Sequence, residues 1–251
     1  MIVAVPARAK LNLDLEVLGR RADGYHDIRT TMQTIALHDL LEVSSPEKTS
    51  LTTSGLPSPY GPANLVLQAH AALEKASGRE LPVQFQLDKR VPPGAGMGGA
   101  SSDAAAALRA LASMFGLKID LAPIAASLGA DVSFFLTGGT ALAEGHGERL
   151  TTLTDASAWF AIAWPSIELP TAAVYKAWDE VGGDPPNQLR RAAGRVEPRL
   201  EEFAKKLGHG WQMTGSGSAF FLRCGAESEA RRAIDGLECW KAVTHAVGRW
   251  A

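Results

Sequence analysis

The residues best suited to chemistry lie in one run, Pro92-Pro93-Gly94-Ala95-Gly96-Met97-Gly98-Gly99-Ala100-Ser101-Ser102-Asp103. Four glycines in six positions open backbone conformations closed to other residues and let main-chain N–H groups come close to a ligand. The stretch from Ser101 onward reads as a helix, whose first N–H groups lack partners and whose dipole is positive at that end. Such an end binds anions, most often phosphate. Ser101 and Ser102 add hydroxyls, either as a helix cap or as ligands. An ordinary turn before a capped helix would use one or two glycines rather than four. The run holds no Gly-x-x-x-x-Gly-Lys-Ser/Thr, so it is not a Walker loop. It fits Gly-x-Gly-x-x-Gly by letter, but the acid near dinucleotide spacing, Asp120, opens a helix-like stretch instead of ending a strand.

The elements that must hold this loop are legible from periodicity. Strict alternation over 11–18 reads as a half-buried strand, ended by the turn Gly19-Arg20-Arg21-Ala22-Asp23-Gly24. Strand-like runs follow at 28–36, 40–43 and 51–53. Asn64 is placed to cap a helix whose apolar face carries Leu65, Ala69, Ala72, Leu73 and Ala76 and which Gly78 closes. A strand at 83–87 leads into the glycine run, and a helix is expected over 101–115. Beyond it the pattern gives a helix at 121–128 and strands at 132–136 and 140–143. The polar stretch 151–157 marks a domain junction. After it come a strand at 159–164, helices at 171–178 and 197–207, strands at 212–214 and 219–223, a helix at 227–234 and a last strand at 242–247. Helices and strands occur in both halves, so the class is mixed α+β.

Composition narrows the function. Of 251 residues, 46% are apolar, enough for a substantial core, and 25 basic against 27 acidic residues give a net charge of −2, which argues against a dedicated nucleic-acid binder. A small anionic ligand needs only local positive potential. Cys224 and Cys239 are too few for a zinc site or a disulfide framework and read as reduced thiols. No basic-then-apolar leader and no apolar run near ~18 residues is present, so a cytoplasmic protein without signal peptide or membrane span is expected.

The glycine run resembles the phosphate loop of the GHMP kinase superfamily (galactokinase, homoserine, mevalonate and phosphomevalonate kinases). The form Gly-Met-Gly-Gly-Ala-Ser-Ser-Asp-Ala-Ala is most similar to the branch acting on 4-diphosphocytidyl-2-C-methyl-D-erythritol in non-mevalonate isoprenoid synthesis. Pro6-Ala7-Arg8-Ala9-Lys10-Leu11-Asn12-Leu13, Arg21-Ala22-Asp23-Gly24-Tyr25-His26, Gly129-Ala130-Asp131-Val132-Ser133-Phe134-Phe135, Ala143-Glu144-Gly145-His146-Gly147-Glu148 and Thr214-Gly215-Ser216-Gly217-Ser218 resemble that branch's other motifs, in order along the chain. Departures are the extra Arg8, Ser133 in place of a proline and Ala100 where glycine is common; none removes a group the chemistry requires.

The resemblance implies a two-domain GHMP kinase fold: a ribosomal protein S5 domain 2-like N-terminal domain over 1–153 and a C-terminal GHMP kinase α/β sandwich over 154–251. It implies ATP with Mg²⁺ as cofactors, bound along Pro92 to Ser102, and phosphorylation of the substrate's 2-hydroxyl. Asp131 would be the general base, and Lys10 would orient it and steady negative charge. Asn12, two residues on and on the same strand face, could hydrogen-bond the acceptor. Tyr25 and Tyr175 would stack on the two faces of a cytosine, His26 would read its polar edge, and Thr171 would contact the substrate. Gly215-Ser216-Gly217 would approach the phosphates. His26 has no second His or Cys at ligand spacing, which removes a metal reading. No nucleic acid, membrane or obligatory protein partner is expected. The competing readings are another GHMP-type small-molecule kinase, for which the stacking pair would have no use, and a catalytically silent nucleotide-binding relative, which would not need both Lys10 and Asp131.

Overall fold

The computed structural model describes residues 2–45 and 48–250. In chain order the elements are β1 (Ile2–Asn12), β2 (Glu16–Arg20), β3 (His26–Ser44), β4 (Ser50–Gly55), α1 (Leu65–Ser77), β5 (Gln84–Lys89), α2 (Gly99–Met114), α3 (Ala122–Leu128), α4 (Ala130–Thr137), β6 (Thr140–Gly145), β7 (Arg149–Thr152), β8 (Trp159–Trp164), α5 (Thr171–Val181), α6 (Arg190–Val196), α7 (Arg199–Leu207), β9 (Gln212–Met213), β10 (Phe220–Cys224), α8 (Glu227–Ile234) and β11 (Trp240–His245). They form two compact units, each assembled from several segments of the chain. The first comprises Met1–Ala9, His38–Pro93 and Gly98–Thr137, and the second Lys10–Leu37, Gly94–Met97 and Gly138–Ala251. Among the described residues no helix is long and apolar enough to cross a membrane.

In the first unit β4 runs parallel to β5, and β5 runs antiparallel to the end of β3, with Leu41 opposite Leu87 and Val43 opposite Phe85. These four side chains are buried. α1 begins where Asn64 Oδ1 accepts the Val66 N–H and ends at Gly78, whose left-handed φ of 63° lets its N–H reach Glu74 O. It buries Val66, Ala69 and Leu73, and the edge of its His70 ring meets Phe85 at 6.0 Å. α1 packs on α2, where the buried run Ala104, Ala105, Ala106 and Ala107 leaves room for close approach.

In the second unit β2 and β3 form an antiparallel pair whose turn is held by Asp23, which accepts from the Arg21 side chain at 3.0 Å and the Tyr25 N–H at 3.1 Å. The first part of β3 pairs with β6, and β6 with β7. A separate four-stranded sheet has the order β11-β8-β10-β9, with Ala161 of β8 facing Val243 on one side and Leu222 on the other. One core gathers Leu15, Val17, Ile28, Leu169, Val174, Leu189 and Phe220, which seats α5 and α6. Burying each such side chain is worth roughly 1.5–3 kcal/mol.

Three local expectations are corrected. Residues 132–136 are helix α4, not a strand: a short apolar run suits a buried helix as well as a buried strand. The Val132 N–H bonds Gly129 O at 3.1 Å to start the turn, and Asp131 sits in the first turn, where a carboxylate suits the helix dipole. The alternation over 11–18 is broken after Asn12, because the Asp14 carboxylate takes the Thr31 N–H at 2.6 Å and the Thr31 hydroxyl at 2.9 Å. The runs 28–36 and 40–43 are one strand, β3. The opening of β1 at Ile2, together with β7 and α6, had no strong periodic signal and was not expected.

Candidate active site

In the first unit the head of α2 is the feature with an evident ligand chemistry. The chain enters through Gly98, held at φ 70°, with no side-chain cap and no acidic residue in the first turn. Ser101 and Ser102 therefore do not cap the helix. Ser102 is buried with its N–H on Gly98 O at 2.9 Å, while Ser101 is half-buried and Ala100 exposed. The first N–H groups of a helix have no intrahelical acceptor and carry its positive dipole end, so an uncapped head of this kind accepts an anion. Gly99 is packed tightly, since a Cβ there would lie 3.0 Å from Val91 Cγ1. Pro92 is buried and Pro93 half-buried just before the loop. Asp131, in the first turn of α4, is half-buried rather than fully enclosed by Val132, Phe134 and Phe135.

In the second unit Lys10 is 4% exposed, and its Nζ donates to Asn12 Oδ1. Asn12 in turn donates Nδ2 to Thr30 Oγ1 at 2.8 Å, and its main-chain N–H goes to Thr214 Oγ1 at 2.9 Å. The amide of Asn12 thus holds Lys10. Gly94, Ala95 and Met97 are bound backbone to backbone. Met97 O accepts the Lys10 N–H at 3.0 Å, Gly94 O the Ser218 N–H at 3.3 Å, and Ala95 O the Ala219 N–H at 3.1 Å. A Cβ on Gly96 would stand 2.3 Å from Thr214 O. Gly96 therefore serves packing of the loop on 214–218, and Gly94, where a Cβ would lie 2.8 Å from Glu168 Cβ, serves packing on Glu168.

The aromatic residues also lie in the second unit. Tyr25 is 64% exposed, with its ring 5.6 Å from that of His146. His26 is buried; its Nε2 bonds Asp179 Oδ1 at 2.7 Å, its face stacks on Tyr175 at 5.0 Å, and its edge meets Trp178. Tyr175 and Asp179 are four apart on α5 and so share a face. Thr171, exposed at the start of α5, shares a hydrogen bond of 3.0 Å with Ser216. An exposed tyrosine and a histidine with a fixed ring plane are fit for a flat heterocycle.

Several residues in this arrangement were not expected. Asp179 orients His26, His146 supports Tyr25, and Asn187 donates to Met213 O and Gly215 O, fixing the 214–218 loop. Asp39 Oδ1 accepts the N–H groups of Arg90 and Val91, tying down the segment before Pro92. Only His146 carried a sequence signal, its place in a Gly-x-Gly-Glu turn; the others are distant in sequence from what they hold. Among the described residues no group of three His, Cys, Asp or Glu is placed to bind a metal.

Comparison with known proteins gives the chain its relatives. The family profile described as the GHMP kinases N terminal domain matches residues 64–139. The 4-diphosphocytidyl-2-C-methyl-D-erythritol kinase of Thermus thermophilus is 39% identical over 257 residues, covering 93% of this chain and 92% of that protein. That of Moorella thermoacetica is 44% identical over 191 residues, covering 74% and 66%. A crystal structure of 4-(cytidine 5'-diphospho)-2C-methyl-D-erythritol kinase superposes with a TM-score of 0.84 at 36% identity, over 98% of this chain and 100% of that one. A homoserine kinase from Cytophaga hutchinsonii, with a TM-score of 0.66 at 18% identity over 99% and 95% of the two chains, shares the fold.

Proposed function

The chain belongs to the 4-diphosphocytidyl-2-C-methyl-D-erythritol kinase family of the GHMP kinases, and from that membership we propose that it transfers the γ-phosphate of ATP to the 2-hydroxyl of 4-diphosphocytidyl-2-C-methyl-D-erythritol. The observation that carries the reading is the uncapped head of α2, entered through Gly98 with no acidic side chain in its first turn. Phosphoryl transfer needs the phosphates held, their charge offset, and the acceptor hydroxyl aligned and deprotonated. The N–H groups following Gly98 hold phosphate oxygens in this scheme, within the Pro92 to Ser102 segment. Asp131 takes the proton of the 2-hydroxyl as the γ-phosphate is attacked. Lys10, kept in place by Asn12, orients Asp131 and offsets the charge that develops on the transferred group. The proposed division into a domain over 1–153, carrying the loop and Asp131, and a domain over 154–251 follows from the same kinship.

The cytosine is read in this scheme by Tyr25 and Tyr175 stacking on its faces and His26 on its edge, with Asp179 fixing the His26 ring. Thr171 contacts the substrate near Ser216. Magnesium, when bound, screens the nucleotide's phosphates. We place the reaction in the cytoplasm. Phosphorus NMR of the reaction products tests the assignment: one new phosphomonoester on carbon 2, matched by ADP, supports it. Release of inorganic phosphate, or phosphate on another hydroxyl, contradicts it.

A further inference from the structure

One buried cluster beneath the loop takes no part in the chemistry above. Lys89, the last residue of β5, donates Nζ to Asp39 Oδ2 and, at 2.6 Å, to Asp103 Oδ2. The three side chains are 5%, 0% and 4% exposed respectively. Asp39 is well supplied, since its Oδ1 accepts the N–H groups of Arg90 at 2.5 Å and Val91 at 2.8 Å. Asp103 is not: its Oδ1 is buried with no hydrogen-bond partner among the described residues. Two carboxylates and one ammonium would leave a buried net charge of −1, and an unsolvated carboxylate costs more than the neutral acid. The acid with the orphaned oxygen is the one that keeps a proton. Burial, reinforced by the Asp39 carboxylate and opposed by Lys89, pushes the Asp103 carboxyl up to about 8. Of the helices packed on α2, α1 carries His70, whose Nε2 bonds Leu81 O, and Glu74, which lies beside His70 and accepts the Leu81 N–H; α3 carries no titratable side chain, and α4 carries Asp131.

Asp103 stands four residues beyond Gly99 on α2, roughly 6 Å along the axis at the rise of an α-helix, so about one turn separates it from the anion-binding head. A charge appearing there opposes a phosphate at the head through a low-dielectric medium, and a phosphate at the head opposes that charge equally. We infer that the Asp39–Lys89–Asp103 cluster couples a proton to nucleotide binding: Asp103 is a positioning residue whose neutral form favours phosphate at the head of α2 and whose ionised form opposes it. The proton is taken from solvent onto the Asp103 carboxylate as the nucleotide binds and returns to solvent on release, with no other bond changed. The inference rests on the reading of α2 as the phosphate site.

The test is calorimetric titration of the intact protein with ADP at pH 8.5, in buffers of different ionisation enthalpy, where the nucleotide phosphates are already fully ionised. Uptake of about half a proton per nucleotide is expected if binding raises the Asp103 carboxyl by about one unit, together with an affinity that falls about sevenfold between pH 7 and 9.5. In Asp103→Asn the uptake disappears and the affinity varies by less than about twofold over the same range. ADP binding without proton uptake in the unmodified protein overturns the coupling while leaving the phosphate site in place, as does equal uptake in Asp103→Asn. Absence of ADP binding altogether overturns both. If Asp103→Asn does not fold, the proton count of the unmodified protein decides alone.

Discussion

Lys10 and Asn12 show how a single side chain can take its meaning from its neighbour. A lysine 4% exposed needs a fixed acceptor, and the Asn12 amide, itself held by Thr30, provides one. In the proposed reaction this preorganised ammonium lies ready for developing negative charge, while Asp131 carries the proton transfer. Asp131→Asn should therefore lower turnover by about 10²-fold or more, the scale of a general base, while ATP binding measured by calorimetry survives. Near-normal turnover would remove Asp131 from that role. Tyr25, exposed beside His146, is offered to a ligand more than to the core. Tyr25→Ala should raise KM for the cytidine substrate by about 5- to 100-fold, the worth of one stacked base, and leave KM for ATP unchanged. An unaltered substrate KM would sink the stacking arrangement.

Among the elements, the glycine loop divides into two functions at Gly98. Gly96 has no space for a side chain, whereas Gly98 precedes the helix whose N–H groups hold phosphate in the proposed reaction. Gly96→Ala should cost about 1–3 kcal/mol of stability, seen as a lower Tm, from clash and strained φ. Gly98→Val should instead weaken ATP binding in titration; equal affinity would place the phosphates elsewhere. Elements with complete local signals were legible from sequence: α1 has its Asn64 cap and Gly78 stop, and α8 matches its expected 227–234 span. Strand β8, with its Trp159 and Trp164 ends, was equally plain. α4 was not, because five largely apolar residues carry no period and only the hydrogen bonding after Gly129 decides between helix and strand. The glycine loop was legible as a place of close backbone approach, but not that Thr214 O is what crowds Gly96 and Glu168 what crowds Gly94. Nor was the Lys89 cluster, since Lys89 beside Arg90 reads as a solvated basic pair and its partners lie 50 and 14 residues away.

At the scale of the whole molecule, the proposed reaction asks a near-neutral chain to bind two polyanionic ligands, with main-chain N–H groups and Lys10 offsetting their charge. The buried cluster leaves a signature in global stability. Asp103 has its carboxyl raised in the folded state, so between pH 4 and about 8 the unfolded chain has released a proton the folded one still holds. Its contribution to stability is greatest below the unfolded value, declines through that window and levels off above it. Denaturant titrations at several pH values should show this fall, and Asp103→Asn should remove it; the same slope in the variant would assign it to other groups. The central claim concerns the acceptor. ATP consumption measured side by side with 4-diphosphocytidyl-2-C-methyl-D-erythritol, mevalonate, phosphomevalonate and homoserine tests it most directly. Turnover confined to the cytidine-bearing substrate is the expected result; efficient turnover of any of the other three, or of none of the four, would contradict it.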